Sequence, residues 1–314
     1  MGFEGLLGND RLKDNIVQSL RRGRISHFYL ISGPEGSGKH TLARLLTAAI
    51  LCRAEDKPCG CCGPCRKVLE GNHPDVITVD DPDHKTVAVK IVRDAREDVF
   101  IRPNEADYKI YLFPQELGVE GQNTLLKILE EPPKHGVFIL LTDNPDKLLP
   151  TVRSRCTELA LQALDADTLC RALAREFPDR SEEDLRAAAV RSGGWLGQAR
   201  VLLDQGNAVP QTESFVQAFV QRDGLLLTQT LAPMEKWKRD QLIPVLESWI
   251  ALMENALVCR AGLPAISAQE RSLSASRSSQ ELMNALRSLK KARELAMGNV
   301  SPGAVCGWLQ WELR

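Results

Sequence analysis

The sequence predicts an α/β fold, a mostly parallel five-stranded sheet with helices, followed by an all-helical second half. Three observations carry this. Five short apolar runs alternate with helical patterns: Tyr29–Ser32, Val76–Val79, Lys109–Phe113, Val137–Thr142 and Thr157–Leu161. A glycine-rich segment, Gly33-Pro34-Glu35-Gly36-Ser37-Gly38-Lys39-His40, joins the first run to a helix-patterned one, Thr41 to Leu51, which is the strand, loop, helix order of a phosphate-binding loop. Beyond Leu161 the strand signal stops and the pattern becomes helical.

Leu12, Ile16 and Leu20 recur at helical spacing before the first strand, and Leu125, Ile128 and Leu129 do so before the fourth, so both helices should cover the sheet. Asp165–Glu176, Ser181–Arg191 and Leu196–Gln205 follow as a small helical unit. Ser181 with Asp184 outlines an N-terminal cap, and Gly193-Gly194 and Gly206-Asn207 supply stops and hinges. From Gln211 a further helical block contains Gln241–Leu257, Gln280–Met297 and Ala304–Leu313. It is interrupted by Gly262-Leu263-Pro264 and by the serine-rich stretch Ser272–Ser279, whose composition is that of a flexible loop. The expected division is an α/β domain at 1–162, a helical domain at 163–206 and a second helical domain at 207–314.

At 314 residues the chain exceeds one ordinary domain, and 43% hydrophobic with 26% charged residues is the composition of a soluble globular protein. A net charge of −1 provides no global field toward nucleic acid or membrane, so any contact with DNA is local. No apolar run is expected to reach the roughly 18 residues of a membrane span, and the N-terminus lacks the order of a signal peptide. The expectation is a cytoplasmic protein with no membrane contact.

Nine cysteines are many for that compartment, and five lie between Cys52 and Cys65. Cys59-x2-Cys62-x2-Cys65, with Cys52 upstream, supplies four thiolates suited to a tetrahedral structural Zn²⁺ site in an insert at 52–65. Pro58, Gly60, Gly63 and Pro64 provide the turns that let the sulfurs converge, and Cys61 is left over. Four protein ligands leave no open position, so such a site holds a loop and does not catalyse.

The phosphate loop departs from its functional form at its last position. There a Ser or Thr hydroxyl ligates Mg²⁺, and His40 offers an imidazole nitrogen to an ion that demands oxygen. Thr41 is no substitute, because adjacent helical positions point about 100° apart. The strand Lys109–Phe113 should end in acids that hold the magnesium shell and activate water, and it ends in Pro114-Gln115. Glu116 is the nearest acid and comes late. Hydrolysis of a nucleotide is therefore not expected. In Thr151-Val152-Arg153-Ser154-Arg155-Cys156, two arginines lie near the sheet's edge, either as solvated charges or as groups able to reach a neighbour's phosphates.

Together with Arg24-Ile25-Ser26-His27, Gly71-Asn72-His73-Pro74-Asp75 and Leu125-Leu126-Lys127-Ile128-Leu129-Glu130-Glu131-Pro132-Pro133, these motifs resemble the subunits of the bacterial sliding-clamp loader, an AAA+ family, and most nearly its delta-prime type. The motifs run in order up to residue 205, while the helical block beyond matches by length and class alone. The resemblance implies an AAA+ domain, a lid (163–206) and a collar domain (207–314) through which five subunits assemble. It implies a non-hydrolysing subunit of the DNA polymerase III holoenzyme that helps load the clamp onto primed DNA. Arg155 would be a finger acting in trans on the adjacent ATPase subunit, and Cys52, Cys59, Cys62 and Cys65 the zinc ligands. Gly33, Gly36, Gly38 and Lys39 would form a vestigial phosphate loop that binds ATP weakly or not at all. Implied partners are gamma/tau and delta, with the sliding clamp and primer-template DNA reached through the complex. The ATPase subunits of the family keep Thr after the loop lysine, an Asp-Glu pair after the strand and an arginine in the lid, where this chain has His40, Pro114-Gln115 and Gly197.

Two other readings stand beside this one. An active gamma/tau-type ATPase requires Glu116 to stand in for the lost acids and Thr41 or water to replace the lost hydroxyl. A zinc-bearing nucleic-acid module is suggested by the cysteines and the basic runs Arg21-Arg22-Gly23-Arg24 and Lys290-Lys291, which lack interleaved aromatics.

Overall fold

The computed structural model describes residues 2–204, 210–298 and 300–313. The expected stop and domain boundary at Gly206-Asn207 lie outside the described residues. The chain divides into two compact units, Met1–Leu164 and Asp165–Arg314.

The first unit contains strands β1 (Phe28–Ser32), β2 (Val76–Thr78), β3 (Thr86–Val87), β4 (Lys109–Phe113), β5 (Glu116–Leu117), β6 (Gly136–Thr142) and β7 (Thr157–Ala160). Five of them form one sheet in the order β2-β4-β6-β1-β7, with every pair parallel. The central strands β1 and β6 are buried along their whole length, which is why they read as unbroken apolar runs, whereas the edge strands β2 and β7 are partly exposed. Register places Phe28 and Tyr111 on either side of Phe138. The three rings stack, with centroids 4.6 and 5.1 Å apart, and tie β1, β6 and β4 together on one face. Val92 within the Val89–Asp98 helix, Val99 just after it, and Leu125 and Ile128 of the Val119–Glu130 helix join the same core. The helix Lys39–Leu51 packs on β1 and β6.

Because all five strands run the same way, the carboxyl ends of β1, β6 and β4 open on one edge, and β1 lies between strands reached by crossovers in both directions. Ligands of open α/β sheets bind at such a switch point. The pair β3 and β5, also parallel, forms a separate two-stranded ribbon. It was not expected, because two residues per strand are too few to show a period.

The second unit is entirely helical among its described residues and is built around Trp249, whose ring stacks on Phe215 at 4.0 Å and whose indole N–H donates to Thr212 Oγ1. Its longest helix, Arg239–Arg260, has the length and mean hydropathy (1.5) of a membrane span, against the expectation that no run would. Leu242, Leu246, Trp249 and Met253 on this helix are buried in the core of the unit, which accounts for its composition. The serine-rich stretch is also corrected. Ala268–Ser276 is a helix capped by Ser267 and anchored by buried Leu273, and Ser278 starts the next helix, Ser279–Met297, with a reciprocal capping box to Glu281. Arg277 between them is buried, over the Phe219 ring at 4.6 Å and bonded to the Phe219 carbonyl. Serines that would leave a chain flexible in isolation serve here as helix caps.

Within this unit the helix Glu182–Arg191 is bound to the helices that follow by a buried ion pair. Arg191 donates to Glu270 at 2.8 Å and to Asn255 at 2.5 Å, and both charged side chains are 4% exposed. Glu270 also accepts from the Ile266 N–H. Removing one member strands the other without water, so Arg191→Ala should destabilise this unit by about 3–5 kcal/mol in chemical denaturation. A loss below about 1 kcal/mol, the worth of an exposed pair, would contradict the burial.

Candidate functional site

The loop after β1 adopts the phosphate-cradle backbone. Gly36 and Gly38 have φ of +76° and +95°, conformations that residues with a Cβ rarely adopt, and Gly38 is followed directly by the helix Lys39–Leu51. The loop is tied to the sheet on both sides: the Gly33 N–H donates to Thr142 O at the end of β6, and the Leu161 N–H donates to Ser32 O. A Cβ on Gly33 would come within 2.8 Å of Ser37 Oγ, and that buried hydroxyl has no hydrogen-bond partner. The four loop residues Gly33, Gly36, Gly38 and Lys39 therefore stand together, as their spacing predicts.

Lys39 is buried and fully engaged. Its ammonium donates to the Gly33 and Pro34 carbonyls at 2.6 and 3.0 Å and to Asp143 Oδ1 at 2.5 Å. Asp143 is the first residue beyond β6 and was not singled out from the sequence; nothing local marks a residue whose partner is 104 positions away. His40, the first residue after Lys39, sits at the loop's end. Partial desolvation and the neighbouring Lys39 ammonium hold its pKa below the ordinary value, against a smaller opposing pull from Asp143, so the imidazole is neutral at pH 7. It offers Mg²⁺ neither oxygen nor charge.

The residues after β4 are directed elsewhere. Gln115 is locked by its side chain to the backbone at residues 81–84: its Oε1 accepts from the Asp81 N–H at 2.7 Å, and its Nε2 donates to the Asp81 and His84 carbonyls. Glu116 pairs with Thr86 in the β3–β5 ribbon and forms an ion pair with Lys147 at 2.7 Å. Turning the chain into this ribbon commits Glu116 to Lys147.

The two arginines differ. Arg153 is held by two acids, Asp146 at 2.8 Å and Glu158 at 3.2 Å, and hydrogen bonding to Glu158 is the main cause raising its already high pKa. Arg155 is tethered more lightly, to the Thr151 carbonyl at 2.9 Å and to Glu130 at 3.3 Å, with its side chain 39% exposed.

In the insert, the Sγ atoms of Cys52, Cys59, Cys62 and Cys65 all lie within 4.8 Å of one another, with Cys59–Cys65 at 4.0 Å and Cys52–Cys62 at 3.9 Å. A tetrahedral ion with metal–sulfur bonds of about 2.3 Å needs sulfurs roughly 3.8 Å apart, so the residues present fit a four-thiolate metal site. Two backbone N–H groups already point at sulfur, Cys59 to Cys52 and Cys62 to Cys59. N–H bonds from Cys61 and Cys62 hold the Cys59 thiol down to about 6, whereas burial pushes Cys52 and Cys65 up. Cys61 is exposed and outside the cluster.

Around the insert, Lys67 and Arg53 reach Glu105, by an ion pair of 2.6 Å and a bond to its carbonyl. The loop carrying Glu105 is fixed by Asp75, the last residue of the Gly-Asn-His-Pro-Asp string. Its fully buried carboxylate accepts from the N–H groups of Asn104, Glu105 and Ala106. Burial raises the Asp75 pKa, but these bonds outweigh it and leave it below the usual range. Three members of the basic runs lie in surface ion pairs. Arg21 binds Asp56, Lys290 binds Glu254 and Lys291 binds Glu294.

A family model described as "DNA polymerase III, delta subunit" matches residues 8–165. The DNA polymerase III subunit tau of Escherichia coli K12 is 32% identical over 240 residues, covering 74% of this chain and 35% of that protein. The tau subunit of Bacillus subtilis is 32% identical over 211 residues, covering 65% and 37%. The gamma/tau subunit of Mycobacterium tuberculosis H37Rv is 36% identical over 202 residues, covering 61% and 34%. The chain thus spans little more than a third of the length of these curated relatives. Among solved structures, a gamma subunit-related protein from Thermotoga maritima gives a TM-score of 0.44 at 14% identity over 95% of this chain and 99% of that one. The clamp loader delta protein of Bacillus subtilis gives 0.39 at 12% identity over 96% and 98%.

Proposed function

Because the chain belongs to the DNA polymerase III delta-subunit family of clamp-loader proteins, we propose that it is a non-hydrolysing, delta-prime-type subunit of the bacterial sliding-clamp loader. The observation that carries this reading is the state of the loop. Lysine is present, but the position for the magnesium hydroxyl is a neutral imidazole and the acids after β4 are replaced by a glutamine bonded away from the loop. A triphosphate would meet a cradle without an oxygen cage for its cation.

In this reading Arg155 is the chain's contribution to catalysis, reaching the ATP of an adjacent gamma/tau subunit, and the four cysteines hold a structural Zn²⁺ that shapes the insert. Residues 163–206 then form a lid and residues 207–314 a collar that assembles with gamma/tau and delta. The clamp and primer-template DNA are met through the complex, in the cytoplasm. The lid position aligned with the family's sensor arginine is Gly197, and the nearby Arg200 is engaged by Glu176 at 2.6 Å, which supports a lid that does not read nucleotide.

The isolated chain is expected to show no Mg²⁺-dependent ATP turnover above background in a phosphate-release assay. Turnover that vanishes in Lys39→Ala would instead favour an active gamma/tau-type subunit.

A further inference from the structure

The loop lysine already holds an anion. A lysine ammonium has three donors, and all three are used here: by the Gly33 carbonyl, the Pro34 carbonyl and the Asp143 carboxylate. The two partners differ in exposure, Lys39 at 8% and Asp143 at 57%. Asp143 therefore lies on the solvent side of the charge that a phosphate would seek. A nucleotide entering the loop has to displace this carboxylate and also approach its negative charge. The cradle beneath it is otherwise retained, since Gly36 and Gly38 keep their left-handed backbone and the buried Ser37 hydroxyl is unpartnered.

We propose that Asp143 is an internal counter-anion that stands in for bound phosphate and closes the loop to nucleotides. The proposal rests on the non-hydrolysing reading and extends it: the loss of magnesium ligands explains why ATP would not be cleaved, and Asp143 explains why it would not stay bound. The specificity is a difference between two anions competing for one ammonium, and the resident one is covalently attached at high effective concentration.

The probe is ATP, titrated calorimetrically into the full chain in buffer with neither added Mg²⁺ nor chelator. Asp143→Asn removes the charge with little change of shape, and Asp143→Ala removes the side chain as a second variant. Each is expected to bind ATP at least tenfold more tightly than the native chain, a change of about 1.4 kcal/mol. Adding Lys39→Ala to Asp143→Asn should abolish the gain. The proposal is overturned if neither single variant gains affinity, or if the native chain itself binds ATP at a Kd of about 1 μM or below. Magnesium-dependent hydrolysis by the native chain would defeat the non-hydrolysing reading whatever the variants do. A missing gain without hydrolysis defeats only the role of Asp143.

Discussion

Arg155→Ala in a reconstituted loader is expected to lower ATP turnover at the adjacent subunit by about 10³-fold or more, the range in which arginine fingers act, with assembly unchanged on gel filtration. The expectation follows from how the side chain is held. Arg155 follows the short helix Pro150–Arg153, so its backbone is positioned rigidly just before β7. Its guanidinium is half-exposed and its acidic partner, Glu130, is 3.3 Å away, a contact of the weakly stabilising surface kind. Release from Glu130 to a neighbouring phosphate therefore costs little. Arg153→Ala is the internal control: it breaks contacts with Asp146 and Glu158 but should leave turnover within a few-fold of native, because that arginine is committed to its own chain. Arg155→Lys should not rescue, since a point charge on a flexible stem lacks the planar fork. Unchanged turnover in Arg155→Ala would reduce this residue to a surface charge.

The second large effect is expected in the insert. Protein purified without chelator should carry about one Zn²⁺ per chain by elemental analysis, and Cys65→Ser should lose it. Cys65 is fully buried, and structural zinc sites contribute on the order of 10–16 kcal/mol, so losing the ion should loosen the segment that the sulfurs tie together. The measurable consequence is new proteolytic cleavage between Cys52 and Cys65 in the variant, with Cys61→Ser remaining resistant. The pH dependence has a definite sign. Metal binds thiolates, and Cys59 loses its proton at about 6 while Cys52 and Cys65 are held above the usual thiol value, so uptake releases protons from the buried pair. Retention should be strongest at neutral and alkaline pH and should weaken as acid returns protons to the thiolates. A metal-free preparation that is fully folded and protease-resistant would remove the site.

The main sheet was legible to within a residue at most strand ends because its central strands are buried on both faces, which forces continuous apolar runs such as Val137–Thr142. The phosphate loop and the cysteine cluster were legible because backbone geometry and metal coordination impose fixed spacings on the chain. What sequence reasoning missed depends on partners distant in the chain. The commitment of Glu116 to Lys147, the Gln115 contacts to residues 81–84 and the Asp143–Lys39 pair join positions 31 to 104 residues apart. The helix at Ala268–Ser276 was read as a loop because serine composition outweighed the single buried anchor at Leu273. The two-residue strands β3 and β5 carry no periodicity to be read at all.

One helix joins the two chemical features of the first unit. Lys39 is its first residue and Cys52 follows its last, so a rod of thirteen residues, about 20 Å long, has the glycine loop at one end and the four-cysteine cluster at the other. With a metal held among the four sulfurs, the far end of this rod would be clamped, and its leading tip would keep its setting under load. Oxidising or stripping the sulfur end would slacken that clamp, and the disturbance would be felt mechanically at the opposite tip.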